Sequence, residues 1–107
     1  LAGMATKIRS MGAMIERAAE SVVDGEITDE QSFNCALVKY YVPKAATEVA
    51  DSAMQIFGGA GYTDHSRVSR IWRDCRGNQI AQGSDEMMIH TVAKQLLRNH
   101  SFVMSDI

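Results

Sequence analysis

At 107 residues the chain is one domain at most, long enough to bury roughly two thirds of the surface its unfolded form exposes. Apolar residues make up 46% and charged residues 22%, a soluble globular composition, and the formal net charge is −2 with 11 basic and 13 acidic residues interspersed. That balance excludes the basic stripe nucleic acid requires and an acidic solvating tail, and no apolar run approaches the roughly 20 residues of a membrane span. The first residues lack the charged and apolar segments of a signal peptide, so a reducing intracellular location is expected, the cytoplasm in preference to the mitochondrial matrix. Cys35 and Cys75 fit no metal-ligand spacing and read as small buried or half-buried hydrophobes.

Residues 1–24 place Leu1, Met4, Ile8, Met11, Ile15, Ala18 and Val22 at alternating steps of three and four, which predicts a helix with one buried stripe. Lys7, Arg9, Glu16, Arg17 and Glu20 fall on the other face, and Gly25 is the expected stop. Leu1 already occupies a stripe position without a capping residue before it, which hints at a chain cut from something longer. The seven methionines sit at helical spacing and read as core. Thr28-Asp29-Glu30-Gln31 is a capping box that opens a second helix, whose stripe runs through Phe33, Ala36, Leu37, Tyr40, Ala46, Val49, Ala50, Ala53, Met54 and Phe57. Pro43 predicts a kink or short break near residues 40–42, because it removes a backbone donor and crowds the preceding turn.

Gln55-Ile56-Phe57-Gly58-Gly59-Ala60-Gly61-Tyr62 ends that helix with three glycines in four positions. A Gly-rich stretch after a helix is ordinarily an interhelical turn; at this density it also leaves bare backbone against which a flat or charged ligand can lie. Residues 66–76 read as a short helix with Val68, Ile71, Trp72 and Cys75 inward. Its four arginines are most simply a solvated face with local ion pairs to Asp74. Ser84 is an N-cap for a last helix that has Asp85 and Glu86 in its first turn, continues through Met88, Ile89, Val92, Ala93 and Leu96, and reaches about residue 100 before a frayed end. The fold class expected is all-α, an antiparallel bundle of three long helices and one short one.

Spacing by itself yields little chemistry. His65, His90 and His100 form no ligand pair on one helix face, and the chain contains no nucleophile elbow, phosphate-binding loop or dinucleotide fingerprint. What it offers is two ligand-capable loops, 58–62 and 80–85.

Taken together, Gln55 to Tyr62, then Arg73-Asp74-Cys75-Arg76, then Ile80-Ala81-Gln82-Gly83-Ser84-Asp85-Glu86, in this order and at these intervals, resemble the C-terminal α-helical domain of FAD-dependent acyl-CoA dehydrogenases. The resemblance covers essentially the whole chain, 1–107, and rests on three separated motifs agreeing in distance. It implies that Gln55, Gly58 and Gly59 touch the FAD of a neighbouring subunit, while Gly83, Ser84 and Glu86 contact the flavin nucleotide from their own subunit. It also implies an acyl-CoA substrate, a homodimer or homotetramer assembled through the helical domain, an electron-transfer partner, and a place in fatty-acid metabolism.

The family's reaction removes a proton α to a thioester and passes a β hydride to the flavin, which requires a carboxylate base. In many members a glutamate stands immediately before the Gly-Thr turn. Here that position is Gln82, whose amide has no basic site at neutral pH, and Ala81 replaces the aromatic residue that often precedes the base. The catalytic residue is therefore unknown: it is carried by an earlier helix, as in some subgroups, or the protein is a non-catalytic flavin- or acyl-CoA-binding homologue. The family's N-terminal helical domain, β-domain and first bundle helix are absent from residues 1–107. The expectation is a fragment, inactive alone, with an apolar groove along the first and second helices that self-association or a partner fills. A free-standing helical oligomerisation module is the rival reading.

Overall fold

The computed structural model describes residues 1–22 and 24–98. Five helices follow one another: α1 (Ala2–Glu20), α2 (Asp29–Phe57), α3 (Gly59–Tyr62), α4 (Arg67–Gly77) and α5 (Asp85–Arg98), with no β-strand among the described residues. The all-α expectation holds, with a single turn, α3, added to the anticipated three long helices and one short one. His100 and the expected frayed end lie outside the described residues.

At 29 residues, α2 is the axis of the molecule, and the other helices pack against it. Its start follows from the Thr28 side chain, which accepts from the Gln31 N–H at 3.0 Å. The reciprocal half of the capping box is missing, since Gln31 Oε1 is buried without a hydrogen-bond partner. The helix runs unbroken through Pro43, contrary to the break expected there. One lost N–H in a helix of this length is tolerated when packing on several sides holds the remaining turns. Thr47 adds a hydroxyl bond to the Pro43 carbonyl at 2.8 Å.

α1 lies antiparallel to α2. Lys7 Nζ meets Glu48 at 3.1 Å at one end, and Met14 and Arg17 share a depression with Asn34, Leu37 and Val38 at the other. The stripe predicted for this helix is only partly the buried one. Met4 and Met11 are half-buried and Ala18 buried, but Leu1, Ile8, Ile15 and Val22 are 91%, 54%, 47% and 53% exposed. The two sets lie three residues apart, about 60° on the helix circumference at about 100° per residue, so a narrow contact buries one and leaves the other at its edge. α2 meets the flank carrying Met4, Lys7, Met11 and Met14, and the residues at 1, 8, 15 and 22 stand beside the contact. The helix also stops at Glu20, four residues short of the expected end. Ser21 caps it, its hydroxyl donating to the Ala18 carbonyl at 2.6 Å, and Gly25 (φ 84°) turns the chain in the connection that follows.

α4 returns along α2 in the opposite sense, from Val68, which meets the turn at Gly61, to Asn78, whose carbonyl accepts from Lys39 Nζ. Val68 and Ser69 are its buried residues, while Ile71, expected inward, is 45% exposed. Arg73 pairs with Asp64 at 3.6 Å rather than within its own helix. α5 packs on α2 with Gln95 as its buried residue, and an apolar groove lined by Leu37, Tyr40, Ile89, Val92, Ala93 and Leu96 runs between the two. Depressions lined by both α1 and α2 lie along the first and second helices as expected, a further apolar groove lies on the α5 side of α2, and α1 carries an exposed aliphatic row beside its contact.

The core is thin. Four of its six buried apolar residues, Ala18, Ala36, Ala45 and Ala50, are alanines, beside Phe33 and Val68, and no described side chain is completely shielded from solvent. A radius of gyration of 16.1 Å, against about 13 Å for a compact domain of this length, fits the same conclusion. Many large apolar side chains, among them Leu1, Ile27, Ile56, Phe57, Tyr62, Ile80 and Leu97, remain exposed.

Candidate functional site

The C-terminal end of α2 organises the candidate site. Gly58 closes α2 with φ 66° and ψ −146°, a conformation open essentially to glycine, and donates back to the Met54 and Gln55 carbonyls. The chain then winds one helical turn, where a bare loop was expected. Gly61 is buried inside that turn: a Cβ there would stand 2.8 Å from Phe57 Cβ and 2.9 Å from the Met54 carbonyl oxygen. Gly58 and Gly59 face outward instead, and a Cβ on either would meet nothing within 4 Å. The three glycines thus divide into one required by packing and two that leave backbone approachable.

Gln55, Gly58 and Gly59 line one open depression of about 380 Å³ together with Asp51, Met54 and Tyr62. A neighbouring cavity of about 600 Å³ shares Asp51, Met54 and Tyr62 and adds Thr63, Asp64, Ser69, Trp72 and Arg73. The carboxylate of Asp51 and the ring of Trp72 were missed as site residues by sequence reading, whereas Tyr62 belongs to the ligand-capable loop 58–62. For Asp51 a signal existed, because it stands four residues before Gln55 and so on the same helix face.

The second group forms a separate turn. Gln79 and Asp85 clasp it: the Asp85 N–H donates to the Gln79 carbonyl at 3.1 Å, and Gln79 Nε2 donates to Asp85 Oδ2 at 2.8 Å. Between them Gln82 adopts φ 53° and Gly83 φ 105°. Gln82 is thus an exposed non-glycine residue in the left-handed region, a conformation that costs about 1 kcal/mol. Ser84 precedes α5 and its carbonyl accepts from Met88 at 3.0 Å. Glu86 is exposed, and Asp85 Oδ1 is buried with no partner, an acceptor left open.

Within one chain the two groups do not meet. Asn78 abuts Lys39, and from Lys39 to Gln55 α2 rises about 24 Å at 1.5 Å per residue. His65 and His90 are exposed, and no cluster of three or more metal-ligating residues occurs among the described residues. Cys35 is exposed, contrary to the buried or half-buried position expected, and Cys75 is half-buried; both are free thiols. Burial pushes the Cys75 thiol above its ordinary value, and the neighbouring Asp74 charge adds to the effect.

An all-α scaffold with a Gly-rich helix end and a strained turn ahead of a last helix matches one known domain class. The sequence profile of the acyl-CoA dehydrogenase C-terminal domain matches residues 1–97. Among solved structures, an acyl-CoA dehydrogenase from Slackia heliotrinireducens DSM 20476 is 47% identical, with a TM-score of 0.79 over 90% of this chain. A structure of the electron transferring flavoprotein of Acidaminococcus fermentans, directed at the mechanism of flavin-based electron bifurcation, is 34% identical, with a TM-score of 0.82 over 92% of this chain. The chain belongs to the acyl-CoA dehydrogenase C-terminal domain family. It spans about a quarter of each of those two chains, 25% in both cases.

The residues present fit a flavin nucleotide in two respects. The outward backbone of Gly58 and Gly59 can be approached closely, and the turn at 79–85 keeps a buried acceptor, Asp85 Oδ1, without a protein partner. No helix among the described residues is long and apolar enough to cross a membrane.

Proposed function

We propose that the chain is the C-terminal domain, residues 1–107, of a longer flavin-dependent acyl-CoA dehydrogenase that oxidises an acyl thioester across its α and β carbons. The observation that carries this reading is the bare, outward backbone of Gly58 and Gly59 beside Gln55, a surface that packing within the chain does not explain. FAD, when bound, accepts the β hydride. The chain's own residues bind and orient. The backbone at 58–59 and the Gln55 amide serve the nucleotide of a neighbouring protomer, while Gly83, Ser84 and Glu86 serve the protomer's own. The start of α5 favours an anionic or hydroxyl-bearing group, because its first N–H groups and the helix dipole both point there. Since the two groups stand far apart in one chain, a complete site needs two protomers, a homodimer or the homotetramer built from it. An electron-transfer partner would reoxidise the flavin.

Gln82 cannot take the α proton. Asp85 is engaged by Gln79 and Glu86 is solvent-exposed in the first helical turn, so both serve the turn and the helix dipole. The base therefore belongs outside residues 1–107. A second reading, a flavin- or acyl-CoA-binding homologue without dehydrogenation, draws on the same amide at Gln82.

The test uses the full-length parent. Purification yields a yellow protein whose flavin is bleached by an acyl-CoA and reoxidised by an electron acceptor, and Gln82→Glu leaves that turnover unimpaired. A flavin band with no turnover on any acyl-CoA would favour the non-catalytic homologue. Colourless protein at every stage would end both in favour of a helical module.

A further inference from the structure

The exposed aliphatic residues of α1, Leu1, Ile8, Ile15 and Val22, recur at every seventh position. A strict seven-residue period is the pattern that keeps one seam of a helix facing another helix along its whole length. Ala5, Gly12 and Ala19 run beside the row, and a Cβ at Gly12 would meet nothing within 4 Å, so a partner helix can approach closely. On α2 a second row has the same period: Cys35 and Ile56 are exposed, and Val42 and Val49 half-buried. At about 100° per residue this row lies roughly 80° from the flank of α2 that meets α1, on the side to which the α1 row also points. The two helices thus present one apolar face, on the side of α2 away from α5.

That face is complementary to itself. Each row is symmetric about its middle, beside Gly12 on α1 and beside Ala45 on α2. The Lys7–Glu48 contact sets these midpoints within about one helical turn of each other, as a single two-fold axis through both requires. The charges along the outer rim agree. Arg9 lies in the first half of α1, with Glu16 and Glu20 in the second, and none of the three has an ion pair among the described residues. Glu16 and Glu20 are like charges one turn apart, and both stand near the carbonyl end of α1, where the helix dipole disfavours acids. A parallel copy would set each charge level with its own kind. An antiparallel copy places Arg9 about 3 Å along the axis from the partner's Glu16.

We infer that this face binds a second copy of the chain across a two-fold axis, with the two α1 helices antiparallel. Leu1 meets the partner's Val22, Ile8 meets the partner's Ile15, and Arg9 pairs with the partner's Glu16. This rests on the reading of the chain as one protomer of a homo-oligomer, and it adds the surface, the direction and the register. It makes no use of the loops at 58–62 and 79–85, so its outcome is separable from that of the flavin reading.

The test is sedimentation of the full-length parent, with flavin content measured on the same samples. Ile8→Glu and Ile15→Glu together halve the sedimenting mass, weakening association on the order of a hundredfold or more, because four apolar contacts per pair of copies become buried charges. Arg9→Glu alone weakens association about tenfold or more, since it turns attraction into repulsion at two symmetric places. Adding Glu16→Arg to the same chain restores it, a rescue that a folding defect would not show. A wild-type parent that is monomeric, or an oligomer indifferent to the isoleucine changes, overturns the assignment. A lowered Tm with unchanged mass also overturns it, placing a segment of the same chain on the row. Failure of the charge swap to rescue overturns the antiparallel register. A colourless parent that still associates through this face removes the flavin reading and leaves the assignment standing.

Discussion

Gly61 and Gly59 are two residues apart and do opposite jobs. At Gly61 an added methyl strikes Phe57 and the Met54 carbonyl, and backbone cannot yield as a side-chain tip can. Gly61→Ala should therefore cost about 1–3 kcal/mol, read as a fall in Tm. Gly59→Ala, in a helical turn with open space around it, should be near neutral or stabilise by a few tenths to about 1 kcal/mol. Equal effects would contradict the packing described. Cys75 supplies a second prediction. Its thiol is raised above its ordinary value by burial and by Asp74, so the folded state binds the proton more tightly than the unfolded state. That contribution is fully present below the unfolded value and is lost as pH rises through the folded one. Stability should decline above about pH 9, and Cys75→Ala should flatten the decline in denaturant titrations.

At the scale of elements, α2 depends on its beginning more than on an uninterrupted interior. Thr28→Ala removes the acceptor for the Gln31 N–H and should cost about 1 kcal/mol by chemical denaturation, whereas Pro43, which ought to break the helix, does not. Both the cap and the proline were legible in the sequence, and only the cap's consequence followed. A cap is satisfied within four residues, but a proline's effect depends on what neighbouring helices hold in place. α5 shows the same limit. Periodicity pointed to Met88, Ile89, Val92, Ala93 and Leu96 as its inner face, yet Ile89 and Ala93 line an open groove and Gln95 is buried with its Oε1 unpartnered. A hydrophobic period identifies a face to within a third of a turn, and docking selects the rest.

At the scale of the whole molecule, a thin alanine core, a row of exposed aliphatic residues on α1 and an open α2–α5 groove make residues 1–107 a poor solitary domain. Expressed alone, they should self-associate or bind a hydrophobic dye, with Ile8→Gln and Ile15→Gln together lowering either signal. A compact monomer that ignores the dye in sedimentation and fluorescence would refute this. The division of the flavin site between protomers also predicts complementation. If a parent altered to Gly59→Asp and one altered at Gly83 and Ser84 each lose FAD, mixing them during refolding should restore roughly a quarter of the wild-type flavin content, as expected for random two-fold dimers. No recovery on mixing would place both groups in one protomer's site.

Helix identity, the cap at Thr28, the Gly-rich helix end and the family motifs were determined by the sequence alone, because each is a matter of bonds and steric limits within a few neighbouring residues. Tertiary structure decided which flank of α1 is buried, which glycine is needed for packing and which leave backbone open, and that Asp51 joins Gln55 in one concavity. Those outcomes depend on the angle at which one helix rests on another, and that angle is set by side chains distant along the chain.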